Sequence, residues 1–255
     1  MRIAAVIPTA LLAAASAAAQ ASYTLYDHSA GTLPAAQPWL AYADNAFLTG
    51  GTVNQTYVAG QGARLTTDAA VAAGYSNFRP TAVLVNPAFP TLDRTAGYRL
   101  TWTLQVQQES HTSVNRAGFS TILLSSDHRG IELGFWGNEV WAQEVGFTHA
   151  EGAAWNTVQS SEYTLTIQGN SYRLDANGSQ LLTGSVRDYS ASGVPYSLAN
   201  YLFFGDDTSS AAADITLGRV SLLTPVPEPT GVLAVGVGLA GVVASIRSAV
   251  RRSGL

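Results

Sequence analysis

From Tyr98 to Gln107 the chain alternates without interruption. Tyr98, Leu100, Trp102, Leu104 and Val106 fall on one side, and Arg99, Thr101, Thr103, Gln105 and Gln107 on the other. A period of two is that of a pleated strand, and a helix cannot gather these residues on one face. One dry and one wet face mean a sheet covered on a single side. Three two-residue turns follow, each between runs of strand-forming residues. Ile131–Trp136 meets Glu139–Gln143 across Gly137-Asn138. Tyr163–Ile167 meets Tyr172–Asp175 across Gly169-Asn170, and that strand meets Gln180–Gly184 across Asn177-Gly178. Gly and Asn reach positive φ at little cost, as tight hairpins require. The segment is therefore an antiparallel meander.

Shorter strand patterns lie at Ser22–Tyr26, Thr52–Val58, Ala63–Thr67, Thr81–Asn86, Gly118–Ser125, Leu202–Phe204 and Asp214–Leu223, and Ala69–Gly74 reads as one short turn. No segment of the body has the period of a long amphipathic helix, and no internal repeat points to a propeller. Many short strands with one apolar face predict an all-β, antiparallel two-sheet sandwich.

The two ends differ from this body. Arg2, the apolar run Ile3–Ala15 and the small-residue sites Ala17-Ala18-Ala19 or Ala19-Gln20-Ala21 have the layout of a secretory signal peptide, residues 1–21. At the other end, residues 225–255 carry Val226-Pro227-Glu228-Pro229, then an uncharged apolar run from Thr230 to Ile246, then Arg247, Arg251 and Arg252. The run is near the lower length limit for a transmembrane helix, and the arginines fit its cytoplasmic side. The prolines keep the preceding segment extended, which suits cleavage.

Motif, helix and basic end, in that order, resemble the PEP-CTERM sorting signal of Gram-negative bacteria. The resemblance implies export with removal of the leader by signal peptidase and an inner-membrane-anchored intermediate. It further implies cutting by an exosortase near the motif and delivery to the cell surface or extracellular matrix. The body between, residues 22–224, resembles the concanavalin A-like or LamG-type jelly roll. That resemblance rests on the strand order and on Phe203-Phe204-Gly205-Asp206-Asp207-Thr208-Ser209-Ser210 leading into the last strand, and it implies a last strand that pairs with the first.

Composition narrows the chemistry. The body holds nine arginines, Arg64 to Arg219, against 16 acids, a charge of about −7. This excludes nucleic acid and anionic membrane surfaces as partners, since both need basic patches. There is no lysine and no cysteine, so Schiff-base chemistry, thiol catalysis and disulfides are out.

Carboxylates at i, i+2 and i+4 on one strand would place an acid pair at the spacing of glycoside hydrolysis. None occurs. Glu139 and Glu144 point to opposite faces, and Glu132 stands alone beside Gly134, with Glu139 or Glu144 as its cross-strand candidates. His28, His111, His128 and His149 are scattered, with no zinc spacing. Asp206, Asp207 and Asp214 offer oxygen ligands suited to calcium, and Asp127 with Ser125 and Ser126 a weaker set. Trp136, Trp141 and Trp155 are the candidate glycan contacts, Trp136 sharing the face of Glu132 opposite Ile131, Leu133 and Phe135. The resulting expectation is a non-catalytic surface or matrix protein that contacts exopolysaccharide. The alternative is a secreted carbohydrate-active enzyme, a hydrolase or lyase, on the same fold.

Overall fold

The computed structural model describes residues 19–226. The leader, Pro227, Glu228 and Pro229, the run 230–246, and Arg247, Arg251 and Arg252 lie outside the described residues. Among the described residues, no helix is long and apolar enough to cross a membrane.

Sixteen strands follow one another: β1 (Gln20–Tyr26), β2 (Ala41–Asp44), β3 (Val53–Val58), β4 (Gly62–Thr67), β5 (Ala73–Ser76), β6 (Tyr98–His111), β7 (Ser120–Leu124), β8 (Arg129–Phe135), β9 (Glu139–Gln143), β10 (His149–Ala154), β11 (Ser161–Gln168), β12 (Ser171–Ala176), β13 (Ser179–Ser185), β14 (Arg187–Asp188), β15 (Leu202–Asp206) and β16 (Ala211–Pro225). They form two eight-stranded antiparallel sheets. The first runs β13-β12-β11-β6-β16-β4-β3, with β1 also on β16. The second runs β10-β9-β8-β7-β15-β5-β2, with β14 on β8. The chain is thus an all-β two-sheet sandwich with the architecture of a jelly roll, and β16 pairs with β1 from Val220 to Pro225.

The core lies where the dry faces meet. Trp102 is fully buried, stacked on Tyr163 at 5.6 Å and packed against Phe135 and Phe204. The Asn177-Gly178 turn takes positive φ at both residues (49° and 79°), and the next hairpin back takes it only at Gly169 (60°), as the two primed hairpin turns require. The Gly137-Asn138 turn closes by Trp136 N–H donating to Glu139 O at 2.9 Å, without positive φ.

Two local expectations fail. Thr81–Asn86 is a loop whose one ladder contact is a bridge between Phe78 and Leu84. Pro80 and Pro87 bracket it and Ala82 has positive φ (59°), so a ladder cannot propagate. Ala73–Ser76 is a strand rather than part of a turn. It was hidden because Ala, Gly and Ser carry no alternation. The same absence concealed β2 and β10.

The outer face of the second sheet carries a smaller apolar cluster: Ile122, Leu124 and Phe203 from the sheet with Tyr189, Tyr196 and Tyr201 from the connection between β14 and β15. That connection is a strap across the sheet, and it positions the site.

A carboxyl pair on the outer face of the second sheet

In β8, Ile131, Leu133 and Phe135 enter the core, so Glu132 points outward, as its parity requires. In β15 the parity places Phe203 outward and Phe204 inward, and Asp207, just past the strand end, follows Phe203. β7 lies between β8 and β15. Glu132 and Asp207 therefore approach each other across one intervening strand, and Ser120 of β7 lies between them on the pocket floor. Tyr196 comes down from the strap. Its hydroxyl donates to Glu132 Oε2 at 2.7 Å and reaches Asp207 Oδ2 at 3.2 Å.

Glu132 is only 3% exposed. Its pKa is raised well above the usual carboxylate range, by burial first and then by the negative charge of Asp207. Burial also raises Asp207, while hydrogen bonds from Ser120 and Tyr196 oppose the rise. Two buried carboxyls this close do not both ionise, so the pair holds one shared proton near neutral pH. Hydrogen bonds from Ser120, Tyr196 and Glu132 favour the charged form of Asp207, so the proton sits on Glu132 and Asp207 is the carboxylate. Burial and both acids raise the Tyr196 phenol as well, so it donates and does not act as a base. Asp207 Oδ1 is sealed from solvent without a hydrogen-bond partner.

The pair opens into a cavity of about 400 Å³, lined also by Arg116, Gln143, Phe147 and Thr208. Arg116 is the one cation lining it among the described residues. Its Nη1 donates to Asn115 O (2.7 Å) and Phe147 O (2.8 Å), which fixes the guanidinium in place. Tyr189 braces the far side of Glu132: its hydroxyl donates to Gln143 O at 2.5 Å and accepts the Glu132 N–H at 3.4 Å.

The sequence candidates disperse. Glu132 is not a solvated acid, and its partner is neither Glu139, which faces His149 (3.2 Å), nor Glu144, which faces Arg187 (3.1 Å). Asp206 turns away from Asp207 toward Thr67, and Asp214 pairs with Arg64. The three acids considered for calcium thus point to three places, and among the described residues no group of three His or acidic side chains converges. Asp127 pairs with Arg94 (2.7 Å) and Ser125 bonds Tyr98.

Trp136 and Trp141 do come together, ring centres 5.6 Å apart, but His111 stacks on the first (4.3 Å) and His149 on the second (4.5 Å). Trp141 is 1% exposed. Trp155 packs against the main core instead. The tryptophans therefore offer no open stacking platform, and His111 and His149 are not free surface histidines.

No protein-family model and no curated protein sequence matches the chain. Solved structures do match. A carbohydrate esterase from the Shiga toxin-encoding bacteriophage phi24B matches with a TM-score of 0.52 and 12% identity, over 81% of this chain and 100% of that one. The Crh5 transglycosylase in complex with NAG has a TM-score of 0.46 and 14% identity, over 81% and 85%. A protein of unknown function from Shewanella oneidensis MR-1 has a TM-score of 0.46 and 11% identity, over 84% and 89%. At these identities the likeness shows the fold.

The expectation of a body that is not an enzyme is overturned. A carbohydrate esterase shares the sandwich, so the fold gives no ground for reading the body as a passive module. The chain also has the buried acid pair whose apparent lack had suggested a passive module. Spacing within one strand or one hairpin does not reveal that pair, because Glu132 and Asp207 come from strands separated by β7. Strand parity alone assigns both residues to the outer face; the strand order that joins them is not written in either segment.

Proposed function

We propose that the body is a carbohydrate-active enzyme that cleaves glycosidic bonds at Glu132 and Asp207. The observation that carries this reading is the buried pair Glu132 and Asp207 bridged by one phenol in a polar pocket. The two bonds to Tyr196 (2.7 and 3.2 Å) bound the separation of those carboxyl oxygens to under about 6 Å. Retaining glycosidases hold their carboxyls about 5–5.5 Å apart, and inverting ones about 6.5–9.5 Å to admit a water. The pair, whose side chains also hydrogen-bond each other, is too close to admit the water of inversion, which leaves retention.

In the first step Glu132 gives its proton to the glycosidic oxygen as the Asp207 carboxylate attacks the anomeric carbon. The bond to the leaving sugar breaks and a glycosyl ester forms on Asp207. In the second step Glu132, now a carboxylate, takes a proton from water. The water oxygen attacks the same carbon and Asp207 is released as a carboxylate. Tyr196 holds both carboxyls in register and Arg116 offsets the charge of the pair. A β-elimination is supported less well, because Tyr196, the phenol bonded to both carboxyls, is raised and poorly suited to abstract a proton.

Purified enzyme should release reducing sugar from a neutral polysaccharide with retention of anomeric configuration, followed by proton NMR of the first product. Glu132→Gln should lower the rate by about 10²–10⁴-fold, the usual contribution of a positioned acid–base group, and Asp207→Asn, which removes the nucleophile, should lower it at least as much. Normal activity in either variant would sink the assignment.

The same proposal includes export: a leader in residues 1–21, anchoring through 230–246, cutting by an exosortase near Val226–Pro229, and release to the surface or matrix, where exopolysaccharide is the accessible substrate. Mass spectrometry of the protein recovered outside cells tests this. A mature C-terminus near residue 226 supports sorting, and an intact Leu255 contradicts it.

A further inference from the structure

Resting on the reading of the pocket as a glycosidase site, we propose that it acts on the end of a sugar chain and takes one or two units at a time. It does not cut within a polymer. The reason lies in one transverse row of the second sheet. Gly74 is opposite Gly205, Gly205 opposite Ser120, Ser120 opposite Gly134, and Gly134 opposite Trp141. All lie on the outer face. Strands about 4.8 Å apart would make this nearly side-chain-free row a trough roughly 20 Å long, enough to carry a polysaccharide across the sheet and past both carboxyls.

The structure closes that trough on both sides of the acid pair. The Phe203 ring lies over Gly74, where an added Cβ would stand 2.6 Å from its Cε2 and Cζ. The Trp141 ring lies over Gly134, where a Cβ would stand 2.6 Å from Cε2. A second ring backs each plug: Tyr201 is parallel to Phe203 (6.5 Å, 8°) and His149 to Trp141 (4.5 Å, 20°). Phe203 is 9% and Trp141 1% exposed, so neither leaves a passage. Tyr189 and Tyr196 of the strap close a third side, with Phe147 packed against both.

What remains is the position above Ser120, where Glu132 and Asp207 converge. The segment Asn115–Ala117 and the turn Thr208–Ser210 line it as well. A cavity of about 400 Å³ is at the small end of ligand pockets, which span about 300–1,000 Å³, with room for roughly one or two sugar rings. A chain enters such a pit by its end.

The test uses the purified full-length chain on linear glucans, galactans and mannans and on their oligosaccharides, following products by chromatography and polymer length by viscosity. Mono- or disaccharide release while viscosity holds is the expected result. An early fall in viscosity with long products overturns end action and leaves the glycosidase reading standing. No sugar released from any substrate overturns that reading and this inference with it.

Binding to the Glu132→Gln variant, measured by calorimetry with oligosaccharides of increasing length, gives an independent readout. Affinity should level off at about two units. A further rise of about tenfold or more with longer chains would show that sugars occupy positions the two plugs deny, and would overturn the proposal.

Discussion

Asp206 precedes the proposed nucleophile by one residue and faces the other way. It is 1% exposed. Its Oδ2 accepts the Thr67 hydroxyl at 2.8 Å, and its Oδ1 accepts the Thr208 N–H at 2.9 Å and hydroxyl at 3.0 Å. Burial outweighs these bonds and pushes its pKa from 3.8 up to about 8. A carboxyl raised in the folded state binds its proton more tightly folded than unfolded. Its contribution is fully present below pH 4 and is lost as pH rises through 8. Each tenfold difference in proton affinity between the two states is worth about 1.4 kcal/mol, so the loss is on the order of 5 kcal/mol across that window.

Asp206→Asn removes the titration and keeps an acceptor for Thr208. Urea unfolding of both proteins at pH 5, 7 and 9 measures it. Glu132 and Asp207 titrate in both, and any constant cost of the amide is the same at each pH, so the change in the difference belongs to Asp206. The variant should gain about 3–5 kcal/mol over the parent between pH 5 and pH 9. Parallel stability curves would refute the reasoning.

Two further substitutions probe the frame. Trp102→Ala empties the centre of an aromatic group made with Phe135, Tyr163 and Phe204 and should cost about 3–5 kcal/mol; a neutral result by urea unfolding would mean the face of β6 is misassigned. Gly134→Ala inserts a Cβ into the Trp141 ring and should cost about 1–3 kcal/mol through overpacking, with a changed near-ultraviolet tryptophan spectrum. An unchanged spectrum would show that the ring does not rest on that glycine.

The sandwich is legible because its information is local. The alternation of Tyr98–Gln107 fixes a dry face, and Gly169-Asn170 and Asn177-Gly178 fix two reversals by backbone chemistry alone. Where the sequence carries no local signal the reading fails: β5 is built from Ala, Gly, Tyr and Ser and is held by pairing with β15 and β2. The histidine–tryptophan stacks are invisible for the same reason. His111 and Trp136 are distant in sequence, and nothing near either residue marks the partner.

The site shows where such reading stops. Glu132 opposite Ile131, Leu133 and Phe135, and Asp207 in step with Phe203, are both assignable to an outer face from parity. Their encounter depends on β7 being inserted between β8 and β15, a fact of topology. The geometry also inverts a common weighting of residues. Glycines in strands usually read as weak points, yet here Gly74 and Gly134 let two aromatic rings lie flat on the sheet and set the pocket's two closed sides. Ser120, the small polar residue of the same row that lines the pocket, marks the floor. The chemistry belongs to the acids, but the shape of what they can reach is set by which positions of one row have no side chain.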